Sequence, residues 1–436
     1  MGDNSLNIAV VGAGPAGLTA AYLLQRRHQV TVFEKAPQAG GHCFTWTIPG
    51  GPDKGLLLDL GFLGFRLREN PNFVRLLQLL EVPTASSEWS FAFFDEKTRY
   101  QYALTGWPGY FTRLHQWASP AFLEFLRERA WFHSRIHRDL ERGRLEGAVL
   151  GAYLRENRYS PGFLRDYVLP LGASIWGLSV KAMEDMPAGL FADRLPAHLP
   201  HQRHQWRRIE KGSSRFITAL LNKLKFRVKV AEPVEGIKRK FPIHFPGETA
   251  DHEADPKGQV ILRGRDGKES VFDKVVLACH ADEALGLLHE PTEDEQRLLS
   301  PWRYQKNHVL LHTDDEILPP SRRSWAAWNY IREIETTKSE PVAVTGHLNR
   351  LMGLTCREQY FITLNRVRPI PEKHALKEAY FTHPVPTLEA LRTRSELEGL
   401  NGRNHTYFCG SYFGQGALED AVRSALQVGR LFGIEL

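Results

Sequence analysis

The sequence predicts an α/β fold in which a parallel sheet covered by helices is interleaved with a second unit of mixed helices and strands. Three observations support this prediction. Residues 7–35 read as strand, glycine-rich turn, helix and second strand. Residues 274–277 are a largely apolar run that suits a buried parallel strand. Residues 406–432 again read as strand, glycine turn and helix. The sheet would therefore draw its strands from distant segments of the chain.

The first element pattern carries a binding signal. The apolar strand that ends at Val11 is followed by the turn Gly12, Ala13, Gly14, Pro15, Ala16 and Gly17, and then by a helix over residues 18–27. In such a turn the first glycine permits the bend, the second lets a diphosphate approach the backbone, and the third lets helix and strand pack. Glu34 ends the next strand at the distance where a carboxylate accepts hydrogen bonds from a ribose. The pattern predicts a dinucleotide site, and the acid disfavours NADP.

The segments that follow resemble flavoproteins of the amine oxidase and phytoene desaturase superfamily. Lys35 and the pair Gly40-Gly41 stand where this family has its double-glycine motif, with His42 in place of the common arginine. Gly61-Phe62 and Gly410 stand at its flavin-facing turns, and Ser411 replaces the acid that many relatives carry. The resemblance implies bound FAD. It further implies cofactor contacts at Gly12, Ala13, Gly14, Pro15, Ala16, Gly17, Glu34, Lys35, Gly40, Gly41, His42, Gly61, Phe62, Val234, Ala278, Gly410, Ser411, Asp420 and Ala421.

A narrower resemblance concerns blocks outside these turns. Residues 166–176, 205–207, 304–307, 324–330 and 408–414 are similar to a bacterial group described as predicted NAD/FAD-binding proteins. That group is similar to the oxidase-like N-terminal domain of plant cyclopropane fatty acid synthases. The blocks extend along nearly the whole chain, and they imply a substrate related to fatty-acyl groups.

The remaining elements suggest how the two units share the chain. We expect a discontinuous FAD-binding domain of residues 1–70, 210–290 and 405–436, and a substrate-binding domain of residues 71–209 and 291–404. Residues 120–144 predict a long helix, and residues 226–230 a strand. Residues 260–263 and 270–272 predict a hairpin, and residues 360–364 a strand. Residues 244–258 are predicted to form an exposed loop.

Composition limits the classes of protein that the chain could be. It has 436 residues, of which 42% are hydrophobic and 24% charged, as in an ordinary globular protein. The four cysteines form no C-x-x-C pair, and no metal-ligand motif is present, so we expect no metal and a reducing, cytoplasmic location. No apolar stretch reaches the ~20 residues of a spanning helix. Basic residues cluster at 201–215 and 223–240, as a solvated face or as a surface for an anionic membrane or acyl carrier.

The chemistry that we expect is hydride transfer from an apolar substrate to FAD. The sequence has no second G-x-G-x-x-G, so a separate NAD(P)H domain is not predicted. Desaturation or double-bond isomerisation of a fatty-acyl or lipid-like substrate fits best. A flavin amine or amino-acid oxidase, or a non-catalytic lipid carrier of the same fold, remain alternatives. Candidate pocket residues are Trp176, Trp206, Trp328, Tyr330 and Tyr412. The catalytic candidates are Trp206, Tyr330 and His280.

Overall fold

The structure is a computed structural model, and it describes residues 5–105, 120–195, 205–240, 259–334 and 343–436. The described strands are β1 Asn7–Val11, β2 Gln29–Phe33, β3 Thr45–Thr47, β4 Leu57–Asp59, β5 Phe65–Arg66, β6 Thr84–Ser86, β7 Phe91–Asp95, β8 Gln101–Ala103, β9 Trp206–Ile209, β10 Val234–Lys240, β11 Gln259–Gly264, β12 Glu269–Phe272, β13 Lys274–Leu277, β14 Arg303–His312, β15 Trp328–Arg332, β16 Val344–His347, β17 Phe361–Leu364, β18 Ala375–Val385 and β19 Thr406–Phe408.

The described α-helices of five or more residues are α1 Pro15–Leu24, α2 Pro71–Leu79, α3 Pro120–Glu141, α4 Leu150–Glu156, α5 Leu169–Trp176, α6 Val180–Glu184, α7 Ala188–Arg194, α8 Ser214–Lys223, α9 Ala281–Leu287, α10 Glu293–Leu299, α11 Leu388–Thr393 and α12 Leu418–Leu431. A π-helical turn, Leu164–Val168, leads directly into α5.

The first sheet is parallel and has the strand order β19-β13-β1-β2. Its central strands are buried and apolar, as expected of a parallel sheet with both faces covered. Val10 pairs with Val276 and with Val32, so the register places apolar residues side by side. Helix α1 packs on this sheet and against both α8 and α12, and α12 also contacts β19. The predicted α/β fold class is confirmed.

One predicted strand at the edge of this sheet is wrong. Residues 226–230 form only a single bridge, between Lys229 and Phe33. Phe226 and Val228 pack against the core, whereas Arg227, Lys229 and Val230 are exposed. Among the described residues the segment has a strand neighbour on one side only, and the ladder does not extend beyond the one bridge. The predicted hairpin is present as β11 and β12, and the helix over 120–144 is present as α3. The predicted loop at 244–258 lies outside the described residues.

A second sheet of seven strands has the order β18-β14-β17-β16-β15-β7-β8. It is antiparallel except where β15 pairs in parallel with β7. Helices α3 to α7 share an aromatic core with it, in which Phe93 stacks on Tyr102 and on Tyr330. Three smaller sheets complete the fold: β10-β11-β12, β3-β4 and β5-β9-β6. The last strand of the large sheet, β18, brings its carboxyl end to the loops of the parallel sheet.

Candidate functional site

The glycine turn after β1 leaves open space beside one backbone position. Gly12 has a φ of +105°, and a Cβ there would lie 2.7 Å from the carbonyl oxygen of Ala278. A Cβ on Gly17 would overlap the carbonyl oxygen of Gly12. At Gly14 an added Cβ would meet no atom of the described residues within 4 Å. The turn is therefore tight at its two outer glycines and open at the middle one, beside the free N–H groups that begin α1.

Glu34 is held against this turn by its own carboxylate. Its Oε2 accepts a hydrogen bond from the Ala13 N–H at 2.8 Å, and its Oε1 accepts one from the Ala36 N–H at 2.8 Å. Each oxygen keeps a second lone pair, so a hydroxyl donor can still bind. Lys35 forms an exposed ion pair with Glu283 on α9.

The double glycine packs directly on the first glycine turn. The Gly40 N–H donates to the Ala13 carbonyl at 2.9 Å, and a Cβ on Gly41 would lie 3.4 Å from the Gly14 Cα. The His42 carbonyl accepts the N–H of Phe62 at 2.7 Å, and it leaves no room for a Cβ on Gly61. The structure thus brings together turns that lie about fifty residues apart in the sequence.

The C-terminal turn closes the same region. The Ala278 N–H donates to the Val11 carbonyl, and the Cys409 N–H donates to the Leu277 carbonyl at the end of β13. The Gly410 N–H donates to the Ser424 Oγ at 2.9 Å. Asp420 accepts the N–H groups of Gln415 and Ala417, which fixes the N-terminus of α12. Two further predicted cofactor contacts lie in the same region: Ser411 directly follows Gly410, and Ala421 lies in the first turn of α12. Val234 lies on β10, half-buried and paired with Gly264.

A wall of neutral side chains faces these turns from the large sheet. On β18, Phe381 and His383 contact His42, with ring centroids 5.2 Å from the His42 ring in both cases. Burial, with His383 and His280 nearby, lowers the pKa of His42 to about 3. Burial and His280 lower the pKa of His383 to about 4. Among the groups the structure describes, no carboxylate acts to raise either pKa, so both rings are uncharged at neutral pH.

The sequence analysis assigns no role to His383 or Asn307. The Asn307 Nδ2 donates to the His383 Nδ1 at 2.7 Å. The sequence signal that points to Asn307 is its place in the block 304–307, which is similar to relatives. The third histidine, His280, caps the N-terminus of α9, and its ring stacks on Tyr304 at 4.3 Å. Burial lowers its pKa.

The predicted aromatic residues do not form one pocket. Trp206 stacks on Trp89 at 3.8 Å, and Trp89 lies 5.8 Å from Trp328, so those three meet. Sequence reasoning missed Trp89. Trp176 stacks on Phe191, and Tyr330 is only 4% exposed in the same aromatic core as Trp328.

Tyr412 lies apart from these residues, beside Trp302 in the core that packs on the parallel sheet. Its hydroxyl is buried and has no hydrogen-bond partner in the part of the chain that the structure describes.

The described ranges contain no group of three His, Cys, Asp or Glu side chains that could hold a metal ion. No helix in them combines the length and the apolar character needed to cross a membrane.

Comparison with known proteins supports the fold. Residues 10–80 match the family model of the NAD(P)-binding Rossmann-like domain. Aplysianin-A of Aplysia kurodai is 42% identical over 57 residues, which are 13% of this chain and 10% of that protein. Achacin of Lissachatina fulica is 34% identical over 92 residues, 21% of this chain and 17% of that protein. The chain therefore spans less than a fifth of the length of these relatives.

Solved structures match over nearly the whole chain. The CLA-producing fatty acid isomerase from P. acnes aligns with a TM-score of 0.61 at 15% identity, covering 99% of this chain and 100% of that one. Cyclohexylamine oxidase from Brevibacterium oxydans aligns with a TM-score of 0.67 at 12% identity, covering 98% of each. At these identities the likeness shows the fold, which is the two-domain fold of amine oxidase-like flavoproteins.

Proposed function

We propose that this chain is an FAD-dependent oxidoreductase that acts on an apolar, fatty-acyl or lipid-like substrate. The observation that supports FAD binding is the open space beside Gly14. This space lies at the start of α1, next to the Glu34 carboxylate. A diphosphate fits this space, because the outer glycines keep the turn tight while the middle one leaves room. FAD, when bound, supplies the hydride acceptor. Of the cofactor contacts proposed from the sequence, the double glycine packs directly on this turn.

The chain's own residues would bind the cofactor, exclude water and orient the substrate. The N–H groups at the start of α1 would hold the diphosphate, and Glu34 would accept from a ribose hydroxyl. His42, Phe381 and His383 would cover the far side of the site. Among the residues that the structure describes, a substrate ammonium group buried against them would find no carboxylate partner, which is costly. The wall therefore favours an uncharged reacting group over an amine.

The reaction class follows from the same features. The sequence has no second dinucleotide motif, so the substrate itself would be the hydride donor, in a desaturation or a double-bond isomerisation. The similarity in fold to a fatty acid isomerase agrees with this proposal. The similarity in fold to a cyclohexylamine oxidase keeps an amine oxidase as the second candidate.

The domain boundaries remain part of the proposal. The parallel sheet draws all its strands from residues 1–70, 210–290 and 405–436, which we assign to FAD binding. The seven-stranded sheet lies within 71–209 and 291–404, which we assign to the substrate. The small sheet β5-β9-β6 joins the two sets. We also propose that the basic residues at 201–215 and 223–240 guide the protein to an anionic membrane or an acyl carrier, in a cytoplasmic setting. Residues 201–204 lie outside the described ranges.

The test is an anaerobic titration of the purified, FAD-loaded protein with fatty acids and acyl thioesters of increasing chain length and with primary amines. Bleaching of the flavin absorbance by acyl substrates, or a shifted double bond in the recovered product, is the expected result. Gly14→Val, which should not load FAD, is the control for cofactor-independent change. Bleaching by amines alone would replace the acyl proposal with the amine oxidase. Lipid binding by a protein that takes up no FAD would indicate the carrier.

A further inference from the structure

The carboxyl end of β18 runs between the two turns that we assign to the flavin. The Phe381 ring lies 2.9 Å from the position of a Cβ on Gly61, and Pro384 lies 3.0 Å from the position of a Cβ on Gly416. His383 stands between these two contacts along the strand. It shares a face of β18 with Phe381, because side chains two residues apart point the same way. His383 is therefore directed at the space between the Gly61 turn and the start of α12.

A chain of hydrogen bonds decides which nitrogen of His383 carries the proton. The His308 backbone N–H can only donate, and it donates to the Asn365 Oδ1 at 3.0 Å. The Asn365 amide nitrogen then faces Asn307 and donates to its Oδ1 at 2.7 Å. With its oxygen so used, Asn307 turns its Nδ2 toward the His383 Nδ1, 2.7 Å away.

A second group of fixed hydrogen-bonding character gives the same orientation of the Asn307 amide. The Gly177 carbonyl can only accept, and it accepts from the Gln305 Nε2. The same Nε2 donates to the Asn307 Oδ1 at 2.7 Å. Both routes leave the Asn307 Nδ2 as a donor, so the His383 Nδ1 is an acceptor. Since the buried ring is neutral at pH 7, its one proton lies on Nε2.

We propose that His383 is a cofactor contact whose Nε2–H donates a hydrogen bond to the flavin ring system, with Asn307 as the positioning residue that keeps the proton on Nε2. This inference rests on the proposed function. Among the residues the structure describes, Nε2 of His383 has no hydrogen-bond partner. A fixed neutral donor stabilises negative charge that develops on a group held in a site closed to water. The reduced flavin carries more negative charge than the oxidised one, so the donor would favour reduction.

The test compares the flavin midpoint potential and absorption spectrum of FAD-loaded variants. His383→Phe keeps a ring but removes the donor, and its potential should become more negative. His383→Gln offers an amide N–H and should return the potential toward that of the wild type. Asn307→Leu should shift the potential in the same direction as His383→Phe, although His383 is present. His308→Phe is the matched control, because His308 lies on the opposite face of the neighbouring strand and its ring contacts that of Tyr380.

A wild-type potential and spectrum in FAD-loaded His383→Phe would overturn the proposal. An equal shift in His308→Phe would overturn it too, since the effect would then be one of sheet packing. If His383→Phe does not retain FAD, an unchanged potential in Asn307→Leu decides against the hydrogen bond, and a negative shift supports it. A wild-type protein that takes up no FAD would instead overturn the proposed function, and this inference with it.

Discussion

Gly14 and Gly17 lie in one turn but differ in their tolerance of a side chain. Gly14 has an extended backbone (φ −78°, ψ −177°) and open space, so Gly14→Val should fold with near wild-type stability and lose FAD. Gly17→Ala forces a Cβ onto the Gly12 carbonyl and should cost about 1–3 kcal/mol of unfolding free energy. Gly399→Val, also in open space, is the control. Urea denaturation and the flavin-to-protein absorbance ratio check both effects. Full FAD occupancy in Gly14→Val would refute our placement of the cofactor.

Asp59 is a buried carboxyl that makes stability depend on pH. Burial raises its pKa to about 6, although Thr45 and Ser213 donate three hydrogen bonds to its Oδ1. A pKa raised above the unfolded value of ~3.9 means that the folded state binds the proton more tightly, so stability falls as pH rises from about 4 to about 6. Asp59→Asn can keep the three bonds on its amide oxygen and removes the charge.

Asp59→Asn should therefore be more stable than the wild type near pH 8, by on the order of 2 kcal/mol, and should lose that advantage near pH 4. Denaturant titrations of both proteins at the two pH values, in the same cofactor state, measure the difference. An equal loss of stability at both pH values would show that the carboxylate is required for structure and would contradict the linkage.

At the scale of elements, Arg332 joins β15 to the helical layer. It donates to the Asp95 Oδ2 and to the Asp166 Oδ1, each at 2.7 Å, and both carboxylates are buried. Arg332→Met would leave two buried acids without this partner and should cost about 3 kcal/mol of unfolding free energy. Arg265→Met removes an exposed pair with Glu235 and should cost under about 1 kcal/mol. Equal effects on the denaturation midpoint would argue against this role for Arg332.

The elements differ in how far sequence could predict them. The unit from β1 to β2 follows from local pattern, since apolar runs, glycines and Glu34 lie within 35 residues. The large sheet joins β14 to β18 and β15 to β7, and no local periodicity encodes those pairings. His383 and Asn307 could not be predicted as a pair, because they meet only through the β14–β18 register. The place of Tyr412 beside Trp302 could not be predicted, because an aromatic residue beside a glycine turn suits a pocket and a core equally well.

For the whole molecule, the net charge is +6, and part of the positive charge is clustered in the sequence near the end of α8. Lys223, Lys225 and Arg227 are exposed at the end of α8 and in the segment that follows it. Each basic residue near an anionic lipid surface contributes about 1 kcal/mol. The protein should therefore bind phosphatidylglycerol vesicles at low salt and release them at high salt, where the charges are screened.

Reversal of these three charges in Lys223→Glu/Lys225→Glu/Arg227→Glu should weaken vesicle binding by roughly 100-fold or more, as ~3 kcal/mol requires. The matched control, Arg357→Glu/Lys373→Glu/Lys377→Glu, changes net charge equally at other exposed positions. Vesicle co-sedimentation with phosphatidylglycerol and with phosphatidylcholine measures both. If the two triple variants lose affinity equally, net charge and not this segment drives binding. If the wild type binds neither vesicle, an apolar substrate must reach the site in free solution or on a carrier, while the wall formed by His42, Phe381 and His383 would still favour an uncharged reacting group.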